Sequence, residues 1–127
     1  KNDNNVYEEY ANVERIPKEV ESADLSYNST KFKKEVMKYS KYGNVVQIAI
    51  KAQVLADVAI ADTDTIKIPY MPMFKDGNVF FAQIGTQWLD GNDAPSRWGY
   101  IDKDRNIRII LNQDEWIHLY FTYICED

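Results

Sequence analysis

Apolar and polar positions alternate with period two along much of the chain after residue 31. The clearest run is Val46-Gln47-Ile48-Ala49-Ile50-Lys51-Ala52-Gln53-Val54. Val46, Ile48, Ile50, Ala52 and Val54 fall on one side, and mostly polar residues fall on the other. Successive side chains of a strand point to opposite faces, so this spacing predicts a strand with one buried face. Upstream, Met37 and Tyr39 alternate with Lys38 and Ser40. A hairpin is therefore predicted across Tyr42-Gly43-Asn44. Thr65-Ile66-Lys67-Ile68 reads as a short strand stopped by Pro69, with residues 69–73 as an edge or crossing segment because proline cannot donate to a ladder. Asp76-Gly77-Asn78 is a tight-turn signal. Val79 to Ile84 is apolar on both faces and reads as a strand buried on two sides.

Further on, Gln87 to Ser96 holds Gly91, Asn92, Asp93 and Pro95 and reads as a loop. Trp98 to Ile101 is a predicted strand, Asp102-Lys103-Asp104-Arg105-Asn106 a turn, and Ile107 to Leu111 the returning strand. Trp116 to Cys125 closes the chain. Ile117, Leu119, Phe121 and Tyr123 face one way there, and Trp116, His118, Tyr120 and Thr122 the other. Short strands at this spacing predict an all-β fold, a compact antiparallel β-sandwich or barrel. The last strand carries large residues on both faces. Its second face is expected to pack on a neighbouring subunit or on the second sheet.

Residues 1–30 differ in character. Val6, Tyr10, Val13 and Val20 recur at helical steps, but Pro17 interrupts the stripe. The segment carries three basic and seven acidic residues, a net charge of −4 out of −5 for the chain. It reads as a connector, extended or partly helical, ahead of a head domain at 31–127. The 127 residues fit one such domain. The chain begins at Lys1 without Met, and is expected to be a fragment or a processed product.

Charge and composition remove several function classes. The net charge of −5, with residues 31–127 near neutral at twelve basic against thirteen acidic groups, argues against a general binder of nucleic acid or anionic membrane, which needs a basic face. No apolar run has membrane-spanning length. One Cys (Cys125) and one His (His118) exclude an intrachain disulfide framework and a Cys/His zinc site within one chain. Any Ser-His or Cys-His nucleophile would have to use His118. No P-loop, G-x-S-x-G, H-E-x-x-H or G-x-G-x-x-G motif is present. Asp102-Lys103-Asp104-Arg105-Asn106 opens like a calcium loop, but Ile107 stands where Gly is required and Gln113 where Glu is required. Neither a metal nor a cofactor is expected. Lys31, Lys33, Lys34, Lys38 and Lys41 read as a solvated edge protected by lysines. Cys125 reads as an inert thiol.

From residue 32 to 124 the order of elements resembles the C-terminal head domains of receptor-binding and baseplate tail proteins from phages of Gram-positive bacteria. The residues that carry the likeness are Met37-Lys38-Tyr39-Ser40-Lys41-Tyr42-Gly43-Asn44-Val45-Val46, then Ile66-Lys67-Ile68-Pro69, then Trp98-Gly99-Tyr100-Ile101-Asp102-Lys103-Asp104 into Ile107-Arg108-Ile109, then Trp116 through Tyr123. The turn after Ile101 departs from the pattern, having Asp-Lys-Asp-Arg-Asn where Gly is common. The resemblance implies a homotrimeric adhesion head in the virion, at the tail tip or baseplate. Its partners would be host cell-surface saccharide and other tail proteins, and residues 1–30 would be its stem.

The resemblance supplies no binding motif, so candidate ligand residues come from chemistry. Sugar recognition needs an aromatic face and a charged group able to hold two hydroxyls. Trp88, Asp90, Asn92, Asp93, Arg97 and Trp98 supply both within one predicted loop. Arg97 could also hold a phosphate on the glycan. His118, on the Trp116 and Tyr120 face, is added as a pocket donor or a pH-sensitive group. The competing assignment puts Trp88 and Trp98 in the core, leaves the acidic residues to shape turns and packs His118. At the level of function, the leading expectation is non-enzymatic adhesion. The alternative is a structural baseplate domain for trimerisation or docking. A glycan hydrolase would need a carboxylate pair, and Asp90 with Asp93 or Asp102 are its candidates.

Overall fold

In the computed structural model, residues 20–73, 79–84, 86–95 and 97–126 are described, with backbone alone for 79–84. Among the described residues are ten strands: β1 (Glu21–Asp24), β2 (Ser26–Tyr27), β3 (Phe32–Tyr42), β4 (Val45–Val54), β5 (Ile66–Lys67), β6 (Val79–Ile84), β7 (Thr86–Trp88), β8 (Arg97–Ile101), β9 (Ile107–Ile109) and β10 (Glu115–Ile124). They form a five-stranded sheet in the order β1-β3-β4-β10-β7, a three-stranded sheet β6-β8-β9 and a two-stranded ribbon β2-β5. All the strand pairings are antiparallel. The fold is an all-β sandwich, and no barrel closes among the described residues.

The β3–β4 hairpin forms where the alternation places it. Tyr42 pairs with Val45, and Gly43 at the turn has φ +61°, a left-handed conformation that glycine adopts without steric cost. Val46, Ile48, Ile50, Ala52 and Val54 are all fully buried. Each larger aliphatic side chain among them contributes about 1.5–3 kcal/mol of burial energy. From β10, Ile117 and Leu119 join the same core, and Ile66, Ile68, Ile101, Ile107, Ile109 and Leu111 close it from the other sheets. Gly99 on β8 is buried because β9 passes too close for a side chain. A Cβ there would lie 2.6 Å from the Arg108 carbonyl oxygen and 3.2 Å from Ile109 Cβ.

Three local expectations change. Among the described residues a strand already lies at Glu21–Asp24, inside the segment read as a connector. Glu21–Asp24 pairs with Lys38–Lys41, and Leu25 is buried as that segment's apolar anchor. One leucine in a polar stretch is too weak a periodic signal to mark a strand. The Val6, Tyr10 and Val13 stripe, like the Asp76-Gly77-Asn78 turn, lies outside the described residues. Second, β3 is not wholly an edge, because β1 covers its second half. Two lysines of the basic run have partners: Lys31, just before β3, pairs with Asp62 at 2.6 Å, and Lys41 on β3 lies 4.9 Å above the Tyr70 ring. Third, the crossing segment 69–73 is fastened to the end of β10. Met73 N–H donates to Ile124 O, and Glu126 N–H to Met71 O.

The turn that lacked glycine is organised by Asp102. Its carboxylate accepts from Asp104 N–H and Asn106 N–H, both at 2.9 Å, and from Arg108 Nε at 2.8 Å. Arg105 takes the left-handed position, at φ 71°, and its guanidinium donates to Pro69 O. The carboxylate spacing that suggested a calcium loop thus serves a turn and an internal ion pair.

The outer face of the five-stranded sheet is partly exposed among the described residues. Tyr120 stands 60 % exposed on it, and Tyr42, Val45 and Ile124 form an exposed apolar row across three strands at one end.

Candidate functional site

The loop expected over residues 87–96 is a compact hairpin hung on β10. Trp88 N–H donates to Asn92 O at 2.8 Å and Ala94 N–H to Thr86 O at 3.1 Å. Asp90 lies at the tip. Its carboxylate accepts from Asn92 N–H at 2.9 Å and from Asn92 Nδ2 at 3.0 Å, so Asp90 and Asn92 hold each other in a side-chain-capped turn. Asp93 is exposed and bridges Gln87 through its backbone.

Arg97 faces inward. Its Nη2 and Nε reach the Glu115 carboxylate, which is 0 % exposed and also accepts from Asn112 N–H at 2.8 Å. A buried carboxylate is stable only when such donors surround it. Arg97 therefore clamps the start of β8 to the start of β10, and the same pair sets the base of the hairpin. Its guanidinium is already committed, which opposes the expectation that it holds a sugar or phosphate. Trp88 is half-buried and lies opposite Glu115 in the β7–β10 register, so it belongs to the inner side of the sheet.

Trp98 points the other way. It is 49 % exposed, and its ring stacks on Tyr100 with centroids 6.2 Å apart and planes at 21°. The pair occupies alternate positions of β8, on the face opposite buried Gly99 and Ile101. Ile110, also exposed, continues the β8–β9 register to the position facing Trp98. The three lie on the outside of the three-stranded sheet, where Arg108 faces Tyr100. His118 lies on the outer face of the five-stranded sheet, opposite Lys51. Glu115 and Trp88 occupy the other face of that sheet, so His118 does not join the hairpin.

The seven residues grouped from sequence thus separate into a turn (Asp90, Asn92, with Asp93 beside them), an anchor (Arg97), a half-buried ring (Trp88), an exposed stacked ring (Trp98) and a histidine on the outer face of the five-stranded sheet (His118). Tyr100 and Glu115 were missed. Tyr100 stood two residues from Trp98 on a predicted strand, which was signal enough. Glu115 carries no mark in the sequence of being buried.

Two of the three carboxylates considered for glycan hydrolysis, Asp102 and Asp90, are occupied as well. Burial raises the Asp102 carboxyl pKa, but bonds from Arg108, Asn106 and Asp104 outweigh it and leave it below its ordinary value. Asp90 is held by Asn92. Among the described residues, no group of three or more His, Cys, Asp or Glu side chains is placed to hold a metal ion.

No family model matches the chain, and no curated protein sequence matches it. A solved structure does: the receptor binding protein (gp15) of Listeria phage PSA, with a TM-score of 0.63 and 10 % identity, covering 98 % of this chain and 76 % of that one. The fold is like that of a phage receptor-binding protein. At such low identity the two share an architecture.

Proposed function

We propose that the chain is a phage tail adhesion module that binds host cell-surface saccharide and catalyses no reaction. The fold likeness supports the tail assignment. The observation that carries saccharide binding is exposed Trp98 stacked on half-buried Tyr100. A rigid aromatic shelf offers a sugar ring's C–H face a large contact at small entropy cost. Its rigidity has a visible source, since Arg97 and Glu115 lock the adjoining residue and Gly99 seats β8 tightly on β9. Trp98 is the main ligand contact in this reading, Asp93 the nearest exposed carboxylate in the hairpin, and Arg97 a positioning residue.

The virion tail is the proposed location and the homotrimer the proposed assembly. The exposed row Tyr42, Val45 and Ile124, with Tyr120 nearby, is the observation that favours self-association. The same row supports the second reading, a structural baseplate domain. The two separate in one experiment. Trp98→Ala is compared with wild type for binding to a panel of Gram-positive cell walls, with solution mass measured alongside. Adhesion predicts that wall binding falls at least tenfold with mass and folding unchanged. A structural part predicts no wall binding by either protein.

A further inference from the structure

A groove that none of the loop residues enters runs along the β2–β5 ribbon. Its main depression has a volume of about 430 Å³ and is lined by Tyr27, Asn28, Thr63, Asp64, Lys67 and Asn106 among others. That volume lies in the range of small-molecule sites, roughly 300–1,000 Å³. A second depression of about 300 Å³ shares Ser26 and Lys67 with it and continues past Tyr39, Ile68 and Arg105.

Three polar groups in the groove, Asn28, Asp64 and Asn106, are held, and Asp64 and Asn106 keep spare bonding capacity. Asn28 Oδ1 is fixed by Thr30 N–H at 3.0 Å and Thr30 Oγ1 at 2.6 Å. Its Nδ2 donates to Asp64 Oδ2 at 3.2 Å, which orients that carboxylate and leaves Oδ1 able to accept. Asn106 Nδ2 donates to Asp102 Oδ2 at 3.2 Å, which fixes the amide and leaves its oxygen as an acceptor. Backbone bonds tie the walls together: Asn28 N–H to Thr65 O at 2.8 Å and Ile68 N–H to Arg105 O at 3.0 Å. Thr65 Oγ1 donates to Ile107 O at 2.6 Å, which fastens the floor to β9.

We propose that this groove is an oligosaccharide site, deepening the adhesion reading on which it rests. Pre-oriented acceptors (Asp64 Oδ1, Asn106 Oδ1) and donors (Lys67 Nζ, the Thr63 and Ser26 hydroxyls) match the hydroxyls of a neutral pyranose. Tyr27 supplies aromatic surface in the main depression and Tyr39 in the second. One carboxylate and one ammonium in the main depression balance, which suits a neutral ring over a polyanion. Two adjoining depressions sharing Ser26 and Lys67 fit a chain of two or more rings.

The test is a nitrogen-15 NMR titration of the full chain. The probes are glucose, galactose and N-acetylglucosamine, followed by cellobiose, lactose and chitobiose. Expected are amide shifts at 26–28, 63–67 and 106, tighter binding of a disaccharide than of its monosaccharide, and at least tenfold weakening by Asp64→Ala or Lys67→Ala. Both residues are exposed, so unchanged thermal unfolding of the variants is expected. Shifts confined to 88–100 would overturn the groove and leave the adhesion reading standing. Shifts nowhere, with any of the probes, would overturn both. Undiminished binding by both variants would overturn the groove alone.

Discussion

Arg97→Ala removes one side of the most deeply buried ion pair in the molecule's described part. The arginine side chain is 14 % exposed and the Glu115 side chain 0 %. After truncation the Glu115 carboxylate keeps a single backbone donor, Asn112 N–H. Stranding a buried charge costs about 3–5 kcal/mol. For a domain of this size each kcal/mol moves the midpoint by about 4 °C, so a fall of roughly 12–20 °C is expected in a thermal melt. The sharper test is the apolar replacement Arg97→Met with Glu115→Leu. It removes both charges and orphans only Asn112 N–H, on an exposed residue where water can reach it, at about 1 kcal/mol. The double variant is therefore expected to be more stable than either single one, with a coupling of at least about 2 kcal/mol in a urea denaturation cycle. A single-variant loss below about 1 kcal/mol, or a double variant losing the sum of the two, would refute the clamp.

Acid should act through Asp102 and Asp62. Both carboxyls lie below their ordinary pKa of 3.8, Asp102 through donors that overcome its burial and Asp62 first through Lys31. A depressed folded pKa gives stability that is present above the unfolded value and lost as pH falls through the folded one. Asp102→Asn should thus lose about 2 kcal/mol at neutral pH, and its gap to wild type should close in denaturation curves taken from about pH 5 to pH 2; a constant gap contradicts this. Gly99→Ala forces a Cβ against the Arg108 carbonyl, and should destabilise by about 1–3 kcal/mol, while retention of the full melting temperature would show that β9 can yield. Asp114 sits at φ 72°. Asp114→Val should cost about 1–2 kcal/mol in a chemical melt and Asp114→Gly should cost nothing; equal effects would refute backbone strain as the cause.

Period-two alternation made β3, β4 and β10 legible, because each spans about ten residues and turns one face toward the core, β4 completely. Short strands were harder. β1, β2 and β7 have two to four residues, and their place depends on pairing with distant segments that no local pattern shows. The candidate site divided along the same line. Trp98 was legible as an aromatic at a loop–strand junction. Arg97 was read as a ligand group because the buried Glu115, eighteen residues away, is invisible to spacing. His118 was grouped with the hairpin by composition, whereas strand alternation sends it to the opposite face from Glu115. The β2–β5 groove draws Tyr27, Asp64 and Asn106 from three segments, which only the folded chain brings together.

The most direct test of the central claim is a binding isotherm of the full chain on purified Gram-positive cell walls, before and after enzymatic or chemical removal of the surface glycan. The account predicts saturable binding to at least one wall type, lost with the glycan and weakened by Trp98→Ala. Binding that survives complete glycan removal would contradict it.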